Sequence, residues 1–279
     1  MDNLKDFIDL GRYPIHRLDS ADGRALLDQC HAMMESESMC ALPGFLLPEA
    51  TSNIAKEINK LESVTRKVDF LATPYGWMDN TGFPKNHPRS QLMRRRCGIL
   101  TTEQIDPEGP SCELFNFDLL TEFVQRLLKY DALYRSTCPT ISVRANTMGF
   151  GEEFGWHYDT NDGVVSFITQ NPEAGGGFEY APLIRSEEDE NYTAVERFLD
   201  GTDTPRQPNL PAGTFTLFLG RRSLHRVAKV LSHGKTRQSL LFSYDRKPNM
   251  VFPEKIRKRL TEPSNAPFYG LVTPNGVMS

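Results

Sequence analysis

The sequence predicts an α+β protein in which helices of the first half support a β core formed by the second half. Two observations carry this prediction. Before about residue 140, apolar residues recur at the three- and four-residue spacing of amphipathic helices. After it, short runs of β-branched and aromatic residues alternate with turn clusters, which is typical of an all-β barrel or sandwich. No internal repeat or linker divides the 279 residues, so we predict a single domain.

Three segments of the first half are predicted to be helical: 25–35, 48–68 and 117–130. The second begins with a proline, which is favoured in the first helical turn, and its apolar residues recur along one face. Segment 73–88 is rich in Pro, Gly and aromatic residues. A loop of this length and composition is typical of a lid over a binding site.

Five segments of the second half are predicted to be strands: 141–148, 164–170, 178–180, 214–219 and 239–244. Residues 149–156 are expected to form a loop, and the acidic segment 185–210 an insertion between strands. The β core is therefore expected over 140–250. Residues 1–139 would then be mainly helical support and lid, and 251–279 a C-terminal extension.

Composition excludes several classes of protein. The 32 basic residues are outnumbered by 36 acidic ones, and the net charge of −4 argues against nucleic acid and anionic membranes as partners. No apolar run approaches the roughly 20 residues of a spanning helix, and no secretory signal is visible. Five scattered cysteines predict neither a disulfide framework nor a zinc site. We expect a cytoplasmic monomer or homodimer that acts on a small molecule.

Three residues of the second half have the spacing of a metal site. His157 and Asp159 form a His-x-Asp triplet, and His225 follows 66 residues later. One His-x-acid triplet is expected by chance in this composition, so the triplet alone predicts nothing. Residues two apart on an extended strand point the same way, and two imidazoles with one carboxylate form the facial triad of non-heme iron enzymes. We therefore predict His157, Asp159 and His225 to be catalytic metal ligands.

Arg237 follows His225 by 12 residues, and Ser239 follows two further on. On a strand these two side chains share one face, where a guanidinium beside a hydroxyl can hold a buried carboxylate. The alternative is that Arg237 is a surface residue on an edge strand.

The order of these residues resembles that of the Fe(II)/2-oxoglutarate-dependent oxygenases. More narrowly, Gly155-Trp156-His157-Tyr158-Asp159 and the segments 170–180 and 220–227 are similar to the subgroup of free-amino-acid halogenases and related hydroxylases. The similarity is densest over 140–246 and extends thinly upstream, for example through His87-Pro88-Arg89. The resemblance implies a double-stranded β-helix, which is a jelly-roll and cupin-like fold.

The resemblance also implies a chemistry. Fe(II) would be held by His157, Asp159 and His225, with 2-oxoglutarate and O2 as cosubstrates, and Arg237 with Ser239 would anchor the distal carboxylate of 2-oxoglutarate. An unactivated C–H of the substrate would be oxidised, with release of succinate and CO2. The halogenases carry a small residue in place of the metal-binding carboxylate. Because Asp159 occupies that position, hydroxylation, desaturation or ring closure is implied rather than halogenation.

Further residues are candidates for binding cosubstrate and substrate. Arg144 and Asn146 share one face of the predicted strand 141–148. If that face lines a barrel, Asn146 would bind a carboxylate of 2-oxoglutarate and Arg144 a carboxylate of the substrate; the alternative is that the face meets solvent. Trp156 and Thr160 flank the ligands and are predicted to touch substrate.

The loop that begins at Tyr75-Gly76-Trp77 is a lid candidate, and Arg89 at its end is a second partner for a substrate carboxylate. Packing is an equally good interpretation of its aromatic residues. The run Arg94-Arg95-Arg96 is predicted to lie on a solvated face, because no wider basic field surrounds it.

Three functions remain open at this point. The first is an oxygenase acting on a free amino acid or a derivative, which needs a closed site with charged anchors. The second is an oxygenase for a protein side chain or nucleic acid, which needs an open groove. The third is a cupin-like metal-binding barrel without enzymatic activity, in which Arg237 and Ser239 would have no role.

Overall fold

The computed structural model describes residues 3–76, 78–160, 163–254 and 257–258. Within these ranges, ten strands form one antiparallel sheet in the order β1-β9-β7-β11-β5-β3-β6-β10-β8, with β2 beside β3, and β4 pairs with β12 separately. The strands are β1 Met39–Leu42, β2 Arg66–Ala72, β3 Met93–Leu100, β4 Tyr134–Arg135, β5 Val143–Met148, β6 Glu153–His157, β7 Val164–Gln170, β8 Phe178–Ala181, β9 Phe215–Phe218, β10 Leu224–Val227, β11 Arg237–Phe242 and β12 Tyr244–Asp245.

The sheet has a larger half and a smaller half, which β3 joins. The larger half consists of β1, β9, β7, β11 and β5, and its last strand in the sequence, β11, lies between β7 and β5. The smaller half consists of β6, β10 and β8. One part of β3, Gly98–Leu100, pairs with β5, and another, Arg95–Arg96, pairs with β6. The curled antiparallel sheet is that of a jelly roll, which agrees with the predicted fold class.

Six α-helices lie in the described ranges: α1 Leu4–Phe7, α2 Ala21–Glu37, α3 Pro48–Lys60, α4 Pro110–Asn116, α5 Asp118–Leu127 and α6 Tyr192–Leu199. The hydroxyl of Ser20 accepts a hydrogen bond from the Gly23 amide and so caps α2, whereas α3 begins directly at its proline. Residues of α2, α3 and α5 share one apolar cluster with the larger half of the sheet.

The outer face of the larger half is the main hydrophobic core. Alternate residues of β5, β7, β9 and β11 point toward the helices and are almost fully buried: Val143, Ala145, Val165, Phe167, Phe215, Leu217, Leu240 and Phe242. Phe215 lies 5.0 Å from Phe45 and 5.6 Å from Phe123, measured between ring centroids. The helices thus cover one face of the sheet and leave the other face to line the interior of the jelly roll.

Two segment predictions from the sequence need correction. The predicted helix 48–68 ends at Lys60, because Arg66–Ala72 is β2 and pairs with β3 along its whole length. The predicted loop 149–156 is a short turn followed by β6. Moreover, β1, β2 and β3 belong to the main sheet, so the β core is not confined to 140–250.

Other sequence predictions lie closer to the structure. Helix α2 is longer than the predicted 25–35, α5 is shorter than 117–130, and β7 has the predicted bounds.

All five cysteines are free and buried. No helix of the described ranges is long and apolar enough to cross a membrane. Trp77 and most of the predicted C-terminal extension lie outside the described residues.

Candidate metal centre

The three predicted metal ligands lie together in the smaller half of the sheet. His157 is the last residue of β6 and pairs across the strands with His225 of β10, so the two imidazole rings face each other with centroids 4.0 Å apart. Asp159 follows just beyond the end of β6. Its Oδ1 lies 3.7 Å from Nε2 of His157, and its Oδ2 lies 3.3 Å from Nε2 of His225. One ligand atom from each residue therefore fits within a sphere of metal-site size, with all atoms within 4.8 Å of one another.

Both imidazoles are oriented in the same way by the backbone. Nδ1 of His157 lies 2.9 Å from the carbonyl oxygen of Gly155, and Nδ1 of His225 lies 2.9 Å from that of Ser223. A carbonyl oxygen only accepts hydrogen bonds, so each Nδ1 carries the proton and donates it. The lone pair is then on Nε2 of each ring, on the side facing Asp159, as metal coordination requires.

Asp159 is held in place by a glycine. Its amide donates a hydrogen bond to the carbonyl oxygen of Gly220 at 3.0 Å. A Cβ added to Gly220 would lie 2.0 Å from Oδ2 of Asp159, which no real structure tolerates. The carboxylate therefore occupies the space left by the missing side chain, and Gly220 is part of the cradle of the site.

Burial and neighbouring charges set the protonation of His157 and Asp159. Burial lowers the pKa of His157 well below its ordinary value, and nearby His225 and Arg95 lower it further. Burial raises the pKa of Asp159, but His225, His157 and Arg144 outweigh that effect and bring the pKa below its ordinary value. A neutral His157 beside an ionised Asp159 is the ligand state that a divalent cation needs.

The inner face of the larger half carries polar side chains, in contrast to the apolar outer face. Ser239 of β11 pairs with Asn146 of β5, and Leu241 pairs with Arg144. Because residues two apart share a face, Arg144, Asn146, Arg237 and Ser239 all lie on the side opposite the helix-covered core. The face of β5 that the sequence left ambiguous is thus the interior of the jelly roll.

Arg237 is a buried cation without a carboxylate partner. Only 6% of the residue is exposed, and its one hydrogen bond within the described ranges runs from Nη1 to Oγ of Ser239 at 3.4 Å. Burial lowers the pKa of this guanidinium to about 10. A buried charge of this kind is costly unless an anion joins it, so the position has the chemistry of a carboxylate-binding site.

Arg144 is a second buried guanidinium on the interior face, farther along the β5–β11 ladder. Its side chain makes no hydrogen bond or ion pair with any other described residue, and its buried Nε has no partner. Burial lowers the pKa of the guanidinium, which Asp159 partly opposes. Arg144 lies four residues along the β5–β11 ladder from the position paired with Arg237, which corresponds to about 13 Å of strand. The two arginines can therefore hold different anionic groups.

The prediction that Arg94-Arg95-Arg96 lies on a solvated face is wrong for Arg95. Arg94 and Arg96 are exposed and pair with Asp69, whereas Arg95 points to the other face of β3 and is 6% exposed. Its guanidinium lies 5.0 Å from the ring centroid of Phe154, on the side of the sheet that carries His157. Strand alternation within the arginine run is the signal that could have separated it from its neighbours.

A cleft of about 600 Å³ opens next to the metal ligands. Asp159 and Thr160 form its end at the candidate metal centre. Its other walls come from the candidate lid loop, from the end of β6, from the loop after β8 and from the loop before β10. The residues are Pro74, Tyr75, Met78, Tyr158, Arg185, Ser186, Glu187, Glu190, Arg221 and Arg222. Tyr75 belongs to the predicted lid candidate, whereas no role was predicted for Tyr158 and Arg185, and no spacing in the sequence connects the three residues.

Of the four predicted substrate residues, only Thr160 lines this cleft, whereas Arg144, Trp156 and Arg89 do not. Trp156 points away from His157 and is buried against Phe198, with the Arg226 guanidinium 4.6 Å over its ring. Arg89 is engaged within the lid loop: its Nε donates to Oδ1 of Asn80 at 3.0 Å, and its guanidinium lies 4.7 Å over the ring of Phe83. Thr160 lines the cleft, and Arg144 lies on the interior face of the sheet.

No protein-family model and no curated protein sequence matches this chain. Solved structures do match it. The non-heme alpha-ketoglutarate-dependent epimerase SnoN from nogalamycin biosynthesis has a TM-score of 0.54 at 12% identity, covering 80% of this chain and 83% of SnoN. A second SnoN structure, in complex with Fe3+, alpha-ketoglutarate and nogalamycin RO, has a TM-score of 0.52 at 10% identity, with 79% and 84% covered.

A prolyl hydroxylase from Trichoplax adhaerens, in complex with a peptide of the oxygen degradation domain of hypoxia-inducible factor, is also similar. The TM-score is 0.51 at 13% identity, covering 85% of this chain and 93% of the hydroxylase. At these identities the likeness concerns the fold. The chain has the jelly-roll fold of Fe(II)/2-oxoglutarate-dependent oxygenases, which confirms the predicted fold class.

Proposed function

We propose that this protein is a non-heme Fe(II)/2-oxoglutarate-dependent dioxygenase that oxidises an unactivated C–H of a small metabolite, with a free amino acid or a derivative as substrate. The observation that carries the proposal is that one protein interior contains both a cluster of candidate metal ligands and a buried arginine that is unpaired in the described part of the chain. One is the cluster of His157, Asp159 and His225, whose Nε2 atoms and carboxylate converge. The other is Arg237, a buried guanidinium with no carboxylate partner among the described residues.

The residues of the site have the chemistry needed to hold Fe(II) and 2-oxoglutarate. Two imidazoles with free Nε2 atoms and one ionised carboxylate are the donor set that Fe(II) prefers, and they leave three positions for other ligands. Arg237 and Ser239 would hold the distal carboxylate of 2-oxoglutarate, and Asn146, which faces Ser239 across the ladder, would contact the cosubstrate. When bound, iron with 2-oxoglutarate and O2 supplies the oxidising power, while the cosubstrate becomes succinate and CO2.

The chain itself contributes position and exclusion of water. Gly220 sets the position of Asp159, and the carbonyl oxygens of Gly155 and Ser223 fix the rings of the two histidines. Arg144 would orient a substrate carboxylate beside the metal, and Thr160 would contact substrate in the cleft. For Trp156 and Arg89 the observed contacts favour indirect roles: Trp156 supports β6 from behind, and Arg89 closes the lid loop.

The metal-binding carboxylate distinguishes the proposed chemistry from halogenation. The carboxylate of Asp159 would occupy the coordination position that a halide would need, so halide binding at this position is disfavoured. Hydroxylation, desaturation and ring closure remain the outcomes that this proposal includes. A purely structural, cupin-like barrel is disfavoured, because it would leave the buried charges of Arg144 and Arg237 without purpose or compensation.

The test is an anaerobic titration with Fe(II) and then 2-oxoglutarate, followed by the visible charge-transfer absorption that chelation of iron by a 2-oxo acid produces. We expect the band to form with the wild-type protein and to be lost in Asp159→Ala and His225→Ala. Arg237→Gln is expected to bind iron normally but to weaken 2-oxoglutarate at least about ten-fold, because one charge-assisted carboxylate pair is lost.

Arg197→Gln is the matched control. Arg197 lies on α6, forms a surface ion pair with Asp203 and does not line the cleft. Its replacement should therefore leave both titrations unchanged. A screen of amino acids for stimulated succinate release then identifies the substrate. An absent charge-transfer band, or equal 2-oxoglutarate affinity in Arg237→Gln and wild type, would contradict the proposed function.

A further inference from the structure

A polar group of the cleft lies apart from the metal ligands and from the cosubstrate residues. It consists of Arg185, Tyr75 and Tyr158, which come from the loop after β8, the loop after β2 and the end of β6, and all three line the cleft. We propose that this group is a second anion-binding subsite for the substrate. The substrate class would then be a metabolite with two anionic ends, such as an acidic amino acid. This inference rests on the proposed function.

Arg185 is built into this wall rather than exposed on it. Its Nε donates a hydrogen bond to the carbonyl oxygen of Arg221 at 2.7 Å, and its Nη1 donates to Glu190 at 3.0 Å. The guanidinium lies 4.1 Å from the ring centroid of Tyr158 and only 12% of the side chain is exposed. Within the described ranges its Nη2 makes no hydrogen bond. One edge of a fixed guanidinium is therefore available to a ligand in the cleft.

The two tyrosines add further donors. Both are 2% exposed, with ring centroids 5.2 Å apart, and neither buried hydroxyl has a partner that meets the distance and angle of a hydrogen bond within the described ranges. A tyrosine hydroxyl is protonated at neutral pH and can donate a hydrogen bond to a ligand oxygen. A buried hydroxyl without a partner destabilises a fold, and a ligand oxygen in the cleft would supply that partner.

The hydrogen-bonding groups, rather than the net charge, favour an anion as this ligand. The cleft lining contains three arginines, two glutamates and Asp159 of the metal centre, so its formal charges balance. Glu190 is already engaged by Arg185 and therefore orients the guanidinium. The donors of Arg185, Tyr75 and Tyr158 remain for the ligand, which a carboxylate satisfies and an ammonium group does not. We assign the other anionic end of the substrate to Arg144, whose charge acts on Asp159 at the metal end of the cleft.

The binding test compares acids with their uncharged amides: L-aspartate with L-asparagine, and L-glutamate with L-glutamine. Each is titrated anaerobically into the protein loaded with Fe(II) and 2-oxoglutarate, and the change of the charge-transfer band reports binding near the metal. We expect at least one acid to bind about ten-fold or more tightly than its amide. Arg185→Met retains the stem over Tyr158 but removes the charge, and should abolish that preference while leaving amide binding unchanged.

Thermal unfolding of the protein without ligands gives a second readout. Tyr75→Phe and Tyr158→Phe remove only unpartnered hydroxyls, so we expect Tm to stay the same or to rise. Tyr13→Phe is the matched control: its hydroxyl donates to the carbonyl oxygen of Pro43 at 2.7 Å, and its loss should lower Tm by about 2–4 °C.

The outcomes separate this inference from the proposed function. If the charge-transfer band forms with 2-oxoglutarate but acids and amides bind equally, or no acid binds, the anionic subsite is wrong and the oxygenase proposal stands. The same holds if Arg185→Met weakens acids and amides alike, or if both tyrosine variants lower Tm as Tyr13→Phe does. If the band never forms, the proposed function itself fails.

Discussion

Gly220 has no side chain, and the Asp159 carboxylate occupies the space where a methyl group would be. Gly220→Ala must therefore displace the carboxylate or the loop that carries it. We expect Fe(II) or Mn(II) affinity to fall about 10–100-fold, which is the range for residues that orient metal ligands. Isothermal titration with Mn(II) measures this change.

Gly177→Ala is the control for this substitution. A Cβ at Gly177 would meet no atom within 4 Å, so metal affinity should stay at the wild-type value. Wild-type affinity in Gly220→Ala would mean that the carboxylate can be positioned without this glycine.

Single residues also show where sequence reasoning succeeds and where it stops. The spacing of His157 and Asp159 became informative only with His225, 66 residues later, because together the three match the facial triad and the order of residues in the resembled family. Whether Arg144 faced the interior depended on which side the helices cover, and only the assembled sheet decides that. Arg185 reaches the cleft from a loop without periodicity, so no local pattern could have indicated it.

Neighbouring residues of a strand face opposite sides of the sheet, one toward the helix-covered core and one toward the interior of the jelly roll. On β9, Phe215 points into the helix-covered core and is fully buried, whereas Thr216 faces the interior and lies 2.7 Å from the hydroxyl of Ser166. We expect Phe215→Ala to lower the free energy of unfolding by about 3–5 kcal/mol, because a cavity forms among several rings. Thr216→Val removes the two hydrogen bonds that its hydroxyl makes with Oγ and the carbonyl oxygen of Ser166, and should cost about 1–2 kcal/mol. Urea denaturation measures both, and equal losses would contradict the assignment of the two faces.

Elements with strong periodicity were predicted best, and β2 and β3 were missed for a physical reason. Their sequences, Arg66–Ala72 and Met93–Leu100, contain several charged residues, so they lack the apolar runs on which the strand predictions relied. Pairing partners make them strands, since β3 is bonded to β2, β5 and β6. Strand preference depends on such neighbours more than on the segment itself.

Ligand binding should stabilise the whole molecule by mass action. At 100 times its dissociation constant, a ligand that binds only the folded state adds about 2.7 kcal/mol. For a chain of this size that corresponds to a rise in Tm of about 5–10 °C. We expect Mn(II) and 2-oxoglutarate to act in sequence. Arg237→Gln should keep the rise with metal but lose the further rise with 2-oxoglutarate, whereas Asp159→Ala should lose both in a thermal-shift assay. A full cosubstrate response in Arg237→Gln would place the cosubstrate elsewhere.

The position of β11 between β7 and β5 governs the order in which the protein can assemble. Its residues come after both neighbours in the sequence, so during synthesis the two neighbouring strands must wait with unpaired edges until residues 237–242 leave the ribosome. Open edges of this kind invite pairing with other chains. The strand that closes the gap also delivers Arg237 to the interior. A chain interrupted before residue 237 would therefore lack Arg237 and keep both edges unpaired, so we expect it to be prone to aggregate.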